Sequence, residues 1–451
     1  MNDIDHLRRL GLFEARVPRY TSYPTAPVFA PSIGAAFQAE CLEALDPDKP
    51  VSVYVHIPFC ERLCWFCACR TQGTKTMSPV ESYLGTLEAE LRLLAAHVPS
   101  GLRMGRLHWG GGTPTILTPS MIHRLAQAIK AVLPPAEDWE FSVEIDPTLV
   151  DRQKITALHA EGMNRASIGI QDFADIVQDA IGRQQPFETT AACVGMLRDA
   201  GIHSLNADLV YGLPHQTIGR MQASLDRVLA LAPDRIALFG YAHVPHLAKR
   251  QQLIDEAALP GDVERHRLFS EAAARFRDAG YRAIGIDHFA RPGDSLTRAA
   301  ESGTLRRNFQ GYTTDRCSSL IGIGASAISR FENGYVQNAA ATAAYVERIE
   351  TGMPAGCRGH RHSDEDRLRA RAIEMLMCDF RIDLAALRQD FGSAAGSLEP
   401  VHQAVAAKFA PHVAVSTSDV SVLPEGRPLT RMIAAEYDAY NDVAATFSKA
   451  S

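Results

Sequence analysis

Between residue 51 and about 290 the chain repeats one pattern. A short run of β-favouring apolar residues meets a polar or glycine-rich tip, and a stretch with apolar positions at helical spacing follows. The predicted strands are Val51–Ile57, Arg106–Trp109, Glu140–Ile145, Ala166–Ile170, Ser204–Val210, Arg235–Phe239 and Arg282–Ile286. Helices separate them, as in Thr118-Pro-Ser-Met-Ile-His-Arg-Leu-Ala-Gln-Ala-Ile129, where Thr118 suits the N-cap and Pro119 the first turn. Successive βα units imply an α/β fold with a parallel sheet and right-handed crossovers, and six or so units suit a partial (β/α)6 TIM-like barrel. Chemistry in such barrels collects at the C-terminal strand ends. The tips there are a cysteine loop, Gly110-Gly-Gly112, Glu144, Gln171, Asp208 and Tyr241-Ala242-His243, so one face is expected to hold the whole site.

The flanks differ in character. Residues 1–45 form an N-terminal arm whose Pro18-Arg-Tyr-Thr-Ser-Tyr-Pro24 is extended rather than helical. It is expected to lie across the catalytic mouth, over the active site, although composition alone fits a strap on the outside of the domain equally well. The core barrel is expected over 46–290 and a completing, linking segment over 291–355, with Ala339–Ala344 read as helix. A small, mainly helical or winged C-terminal domain is expected over 356–451. It would contain a helix over Asp364–Phe380, a hairpin within Val413–Leu423 and a last helix from near Leu429.

Composition narrows the class. With 46% hydrophobic and 22% charged residues the chain reads as a soluble globular protein. The net charge of −6, and 10 Lys+Arg against 13 Asp+Glu in residues 361–451, argue against nucleic-acid binding despite the winged pattern. No apolar run approaches a membrane span, and the start Met-Asn-Asp-Ile-Asp-His lacks the apolar stretch of a signal peptide. Nine cysteines, four of them between positions 60 and 69, point to metal chemistry in a reducing compartment, the cytoplasm.

The four bunched cysteines carry the sharpest signal. Cys60, Cys64 and Cys67 sit in a Cys-x3-Cys-x2-Cys loop directly after the first predicted strand, so one loop can aim three thiolates at one centre. Three ligands on an iron–sulfur cube leave one iron open. A zinc site would ordinarily pair its cysteines with a second pair or with histidines further on, which this sequence lacks. In His108-Trp-Gly-Gly-Gly-Thr-Pro-Thr115, three glycines at a strand tip fit either a tight turn or a backbone cradle for a small polar ligand. The absence of a following Lys-Ser/Thr excludes a Walker loop. Glu144 and Asp208 are carboxylates where apolar runs meet the mouth, to be paired with ligand hydroxyls or amines, or with a neighbouring loop. Gln171 and Arg183 extend that polar set.

The cysteine loop, preceded by Tyr54-Val-His-Ile-Pro-Phe59, resembles the signature of the radical S-adenosylmethionine (SAM) superfamily. The arm motif, the extra Cys69, Gln171-Asp-Phe173, Asp208-Leu-Val-Tyr-Gly-Leu-Pro214, Tyr241-Ala-His243, Asp287-His-Phe-Ala-Arg-Pro292 and Arg307-Asn-Phe-Gln-Gly-Tyr-Thr-Thr314 narrow the resemblance to the oxygen-independent coproporphyrinogen III oxidases. It runs from about residue 17 to beyond 380. That resemblance implies a [4Fe-4S] cluster on Cys60, Cys64 and Cys67, and two SAM molecules. Tyr54, Gly111, Glu144 and Ile328 would contact the first SAM. Phe66, Gly112, Thr113, Gln171, Arg183, Asp208 and Ala242 would contact the second. Cys69, Phe309 and Gln310 would serve activity without ligating the cluster. One departure is Ala68, where the family usually has glycine.

The implied reaction is oxidative decarboxylation of two propionates of coproporphyrinogen III to vinyl groups, giving protoporphyrinogen IX in haem biosynthesis. A 5′-deoxyadenosyl radical would remove hydrogen β to the carboxylate, and one electron must then leave with each CO2. A one-electron donor protein such as flavodoxin or ferredoxin is the expected partner of a monomeric enzyme. The substrate's carboxylates call for cations. Arg19, Arg291 and Arg307 lie in the specific motifs and are the expected propionate binders, unless they are ordinary solvated arginines. Related radical SAM branches offer alternatives: a haem chaperone, a haem-degrading enzyme or a methyltransferase. Cys69 and the arm motif are not expected in the chaperone.

Overall fold

A computed structural model describes residues 3–440. Its centre is a twelve-stranded sheet. In chain order the strands are β1 (Val51–Ile57), β2 (Met104–Gly111), β3 (Pro135–Ile145), β4 (Arg165–Gln171), β5 (Ser204–Tyr211), β6 (Arg235–Gly240), β7 (Arg282–Ile284), β8 (His288–Ala290), β9 (Leu320–Ile323), β10 (Ile328–Phe331), β11 (Gly334–Asn338) and β12 (Gly356–Arg361). Strands β1 to β6 pair parallel in sequence order, as the βα rhythm predicts.

The alternation along each strand explains the architecture. Val51, Val53 and Val55, then Leu107 and Trp109, then Phe141 and Val143, point to an outer core shared with the helices. Those helices include α1 (Ser78–Ala95), α2 (Pro119–Val132), α3 (Arg152–Ala160), α4 (Phe187–Asp199), α5 (Ile218–Leu231) and α6 (Asp262–Asp278). Leu84, Leu87 and Leu91 of α1 and Ile122, Leu125 and Ile129 of α2 are almost wholly buried there. Each such side chain is stabilising by about 1.5–3 kcal/mol. The intervening positions, among them Ser52, His108, Ser142, Ser167 and Asn206, line an interior cavity. Small and polar inward residues leave this barrel hollow, where an ordinary TIM barrel packs branched apolar layers.

The structure departs from expectation on both sides of the six strands. Residues 282–286 do not open another βα unit: β7 is an antiparallel edge strand on β8, itself antiparallel to β6. On the other side β9 adds a seventh parallel strand against β1, and β10, β11 and β12 extend the sheet antiparallel. These strands are short and glycine-rich, so hydrophobic alternation does not announce them. The Ala339–Ala344 helix begins only at Thr342, because Asn338 closes β11. The fully buried Asn338 amide donates to Glu90 and to the carbonyls of Gly322 and Gly324.

The expected C-terminal boundary at 356 would give the whole of β12 to the C-terminal unit, but β12 pairs with β11 in the central sheet, so that unit starts after it, at α7 (Asp364–Asp379). Ser363 and Asp366 cap that helix reciprocally. A three-stranded antiparallel sheet of Arg381–Asp383, Asp419–Val422 and Val413–Val415 follows, and then α8 (Thr430–Ala435). Among the described residues no helix is long and apolar enough to cross a membrane.

The N-terminal arm joins barrel and C-terminal unit. Tyr20 and Tyr23 are buried in the C-terminal core. The Tyr20 hydroxyl donates to Asp438 (3.0 Å), and the Tyr23 hydroxyl accepts from the Ala439 N–H (2.9 Å). Arg19, directly before Tyr20, turns the other way and donates to the Gly240 carbonyl at the end of β6 (2.7 Å).

Candidate functional site

The parallel strands bring the predicted tips to one end. The cysteine loop leaves β1 and is fastened at several points: the Gln72 N–H donates to Pro58 O, Thr74 N–H to Cys60 O, and Trp65 N–H to Ile181 O. Behind it the Tyr83 hydroxyl of α1 donates to His56 O and accepts from the Ala325 N–H. Tyr83 thereby ties the end of β1, from which the loop leaves, to the β9–β10 turn.

The cysteine sulfurs receive hydrogen bonds suited to an iron–sulfur cluster. Thr113 Oγ1 lies 3.5 Å from Cys60 Sγ, Arg183 Nη1 3.5 Å from Cys64 Sγ, and the Cys69 N–H 3.4 Å from Cys67 Sγ. Among the described residues no three His, Cys, Asp or Glu side chains converge on a single-ion site. The thiolates of a cube each bind a different iron and so stand apart. Three thiols on one loop, with donors to each sulfur, fit a [4Fe-4S] cluster.

The glycine tip is a cradle. Gly111 has φ +114°, open to glycine, and its N–H donates to Glu144 Oε2 (3.2 Å). A Cβ on Gly110 would stand 2.6 Å from Glu144 Oε1, and one on Gly112 2.6 Å from Phe59 O. His108 Nε2 approaches Glu144 Oε1 at 3.3 Å. Burial would raise the Glu144 carboxyl, but His108 and the Gly111 N–H bring it below the usual value. Tyr54 stacks on His108 with ring centroids 5.8 Å apart, and its hydroxyl pairs with His56 Nδ1 (3.0 Å). Ile328 backs onto Gly322, the register partner of Tyr54. Tyr54, Gly111, Glu144 and Ile328 therefore share one corner.

A second group lies across the mouth. Arg183 donates to Gly169 O (2.9 Å) and to Gln185 Oε1 (3.1 Å) and pairs with Asp146. Gln171 sits at the β4 tip with φ +69°, a strained conformation of the kind that gathers at functional sites. Asp208 accepts from Ser167 Oγ and Asn206 Nδ2, both at 2.8 Å, and burial raises its pKa. Sequence reasoning missed Gln251. Its fully buried amide donates to Phe66 O (2.7 Å) and Ala242 O (3.0 Å), tying together two predicted SAM contacts. Arg250 beside it donates to Cys69 O and Thr71 Oγ1. Both occupy a short 3-10 turn, Lys249–Leu253, that no motif flags.

Below the mouth a cavity of about 500 Å³ fills the barrel. Cys69, Glu144, Asp208, Phe309 and Gln310 all line it, with Arg19 and Arg307. The antiparallel hairpin Arg306–Asn308 and Gly311–Thr313 carries Phe309 and Gln310 in its turn and closes the open side. Arg307 stacks 4.4 Å over the Tyr312 ring and lies 3.7 Å from Asp287 Oδ1. Burial would raise the Asp287 carboxyl, yet Arg307, His288 and Arg19 hold it far below the carboxylate range. Arg291 is elsewhere. It lines a depression with Glu140, His203 and Asp234 at the opposite, N-terminal ends of the strands, so the structure does not bring it to the site.

The Radical SAM superfamily pattern matches residues 54–228. The chain is 64% identical, over the whole of both chains, to the oxygen-independent coproporphyrinogen III oxidase of Cereibacter sphaeroides. It is 38% identical to that of Escherichia coli, over 94% of this chain and 93% of the relative. The solved structure of coproporphyrinogen III oxidase (HemN) from Escherichia coli, a radical SAM enzyme, superposes with a TM-score of 0.90 at 37% identity, covering 94% of this chain and all of the other.

Proposed function

The chain belongs to the oxygen-independent coproporphyrinogen III oxidase family of radical SAM enzymes, and from that premise we propose that it converts two propionates of coproporphyrinogen III to vinyl groups without oxygen. The carrying observation is one cavity, lined by Cys69, Glu144, Asp208, Phe309, Gln310 and Arg19, below the three-cysteine loop.

Cys60, Cys64 and Cys67 would hold the cluster, which with SAM supplies the one-electron reduction and hydrogen abstraction that side chains cannot perform. Glu144, oriented by Gly111 and His108, is placed to accept hydrogen bonds from a bound amine or hydroxyl. Tyr54 and Ile328 complete that first SAM site. Phe66, Gly112, Thr113, Gln171, Arg183, Asp208 and Ala242 outline a second, and Gln251 supports it by fixing the Phe66 and Ala242 carbonyls. Arg19 and Arg307 are retained as propionate partners at the cavity wall. Cys69 lines the same cavity, and in this reading it serves the reaction there without ligating the cluster. The reading includes a flavodoxin or ferredoxin as electron donor, a monomeric state and a cytoplasmic setting.

An anaerobic assay of the reconstituted protein with SAM, reductant and coproporphyrinogen III tests this, with products followed by mass. Loss of two CO2 per substrate is expected. SAM cleavage with an intact substrate would move the chain to the haem-chaperone, haem-degrading or methyltransferase branches.

A further inference from the structure

A second cavity, of about 580 Å³, lies between the end of β6, helix α6, the N-terminal arm and the C-terminal unit. It touches the barrel cavity along Arg19, Asp287 and His288, which line both. Six arginines line it, Arg16, Arg19, Arg265, Arg277, Arg427 and Arg431, against two aspartates, Asp262 and Asp287. Between them the wall is apolar, with Leu238, Phe269, Ile286, Phe289, Phe380 and Pro428.

The arginines form two tiers. Arg19, Arg265 and Arg431 are half-buried on the inner wall; Arg16, Arg277 and Arg427 are exposed at the rim. Arg265 stands over the Tyr211 ring (5.7 Å) and Arg427 over Phe380 (4.6 Å). Arg16 and Arg277 have no side-chain hydrogen bond or ion pair among the described residues. On the inner wall Arg431 donates to the Pro18 and Val17 carbonyls and Arg19 to that of Gly240, bonds that orient these guanidiniums without neutralising their charge. Burial, then the charges of Arg19 and Arg307, bring Arg431 down to about 10, and Arg19 is lowered by burial and by Arg307 and Arg265 against the pull of Asp287. Clustered like charges cost stability, so such a chamber is expected where a polyanion enters.

We propose that this chamber seats the tetrapyrrole, with its ring against the apolar wall and Arg265, Arg431 and the rim arginines holding the carboxylates that are not reacting, while Arg19 marks the passage through which the reacting propionate enters the barrel cavity. The inference rests on the proposed function for its substrate and adds the place and the residues. It also accounts for two successive decarboxylations at one site: a ring held through its other carboxylates can release, turn and present its second propionate past Arg19.

The test is fluorescence titration of the full-length protein with coproporphyrin III, the stable oxidised ring, and with a dicarboxylate porphyrin. Wild type, Arg265→Gln, Arg265→Lys and the exposed-rim variant Arg427→Gln are compared, each alongside dithionite-driven SAM cleavage. Losing a charge-assisted bond from a half-buried site should weaken coproporphyrin binding by about 10- to 100-fold in Arg265→Gln. The Lys variant should recover part of this, and Arg427→Gln should lose about 2- to 5-fold. The dicarboxylate ring should be affected less and SAM cleavage not at all. Unchanged coproporphyrin affinity in both Gln variants overturns the chamber, even if the wild type decarboxylates its substrate. Arginine-dependent binding by a wild type that fails to decarboxylate would uphold the chamber and remove the proposed reaction.

Discussion

Arg183 places one nitrogen, Nη1, 3.5 Å from Cys64 Sγ and 3.3 Å from Asp146 Oδ2, so a single guanidinium joins the cysteine loop to the end of β3. Both side chains of the Arg183–Asp146 pair are close to 10% exposed. Removing one partner strands the other. Arg183→Leu should lower unfolding free energy by about 3–5 kcal/mol in a denaturant titration, whereas Arg183→Lys, which keeps the charge but loses the fork, should fall between. A Leu variant with wild-type stability would mean that Asp146 finds water instead.

Glycines 85 and 112 should respond oppositely to alanine. A Cβ at Gly112 meets the Phe59 backbone at 2.6 Å (O) and 2.9 Å (N), and backbone cannot swing aside. The Gly112 N–H also donates to Ile57 O, so displacement there moves the root of the cysteine loop. Gly112→Ala should reduce iron retained after reconstitution and weaken SAM binding at least about tenfold, by a shift of the kind that misplaces reacting groups. At Gly85, within α1, nothing lies within 4 Å. Gly85→Ala should therefore raise stability by about 0.5–1 kcal/mol with SAM binding intact.

The first half of the barrel was legible because its strands carry enough Val, Ile and Leu to announce themselves: Val51–Ile57 matches β1 to the residue. The tips were legible for the same reason, since parallel strands must present their ends together. Beyond residue 300 the sheet grows by strands of four to six residues containing Gly322, Gly334, Gly356 and Gly359, held by buried polar groups such as Asn338 and Glu90. Such strands depend on tertiary partners, which no local pattern encodes. The arginines divide likewise. Arg19 and Arg291 both sit in specific motifs, yet only β6 pairing with β8 decides that Arg291 emerges at the far end. Arg265 lies on an ordinary charged helix and Arg431 near the C-terminus, and the fold alone makes them neighbours.

Gln251 should behave as a positioning residue. Replacing its amide by an apolar side chain leaves the Phe66 and Ala242 carbonyls without that donor, at a cost of about 1–3 kcal/mol each. Gln251→Leu should keep the iron content of the wild type, because it touches no cysteine sulfur, yet raise KM for SAM. Gln251→Glu should be worse, as its carboxylate faces the same two carbonyl oxygens. Iron loss matching the SAM defect would place Gln251 in loop folding instead.

Glu90 of α1 should give the fold a negative slope of stability with pH. Its carboxylate is buried and accepts from the Tyr345 hydroxyl (2.6 Å), the Gly324 N–H (2.7 Å) and the Asn338 amide (2.9 Å). Burial outweighs these donors and raises its pKa from 4.5 to about 7. The folded chain thus binds a proton that the unfolded chain has released across that interval. The associated stability is complete below about pH 4.5 and is lost as pH rises through 7, a swing of about 3 kcal/mol. Glu90→Gln removes the titration. Its amide nitrogen must face the Asn338 donor or force that side chain to turn over, so the variant should start about 1 kcal/mol less stable at pH 5. It should then lose less between pH 5 and 8, so that the two curves cross at about pH 6 and the variant is the more stable by about 1–2 kcal/mol at pH 8. Urea unfolding at pH 5, 6, 7 and 8 measures this directly, and parallel curves for the two proteins would show that Glu90 does not carry the proton.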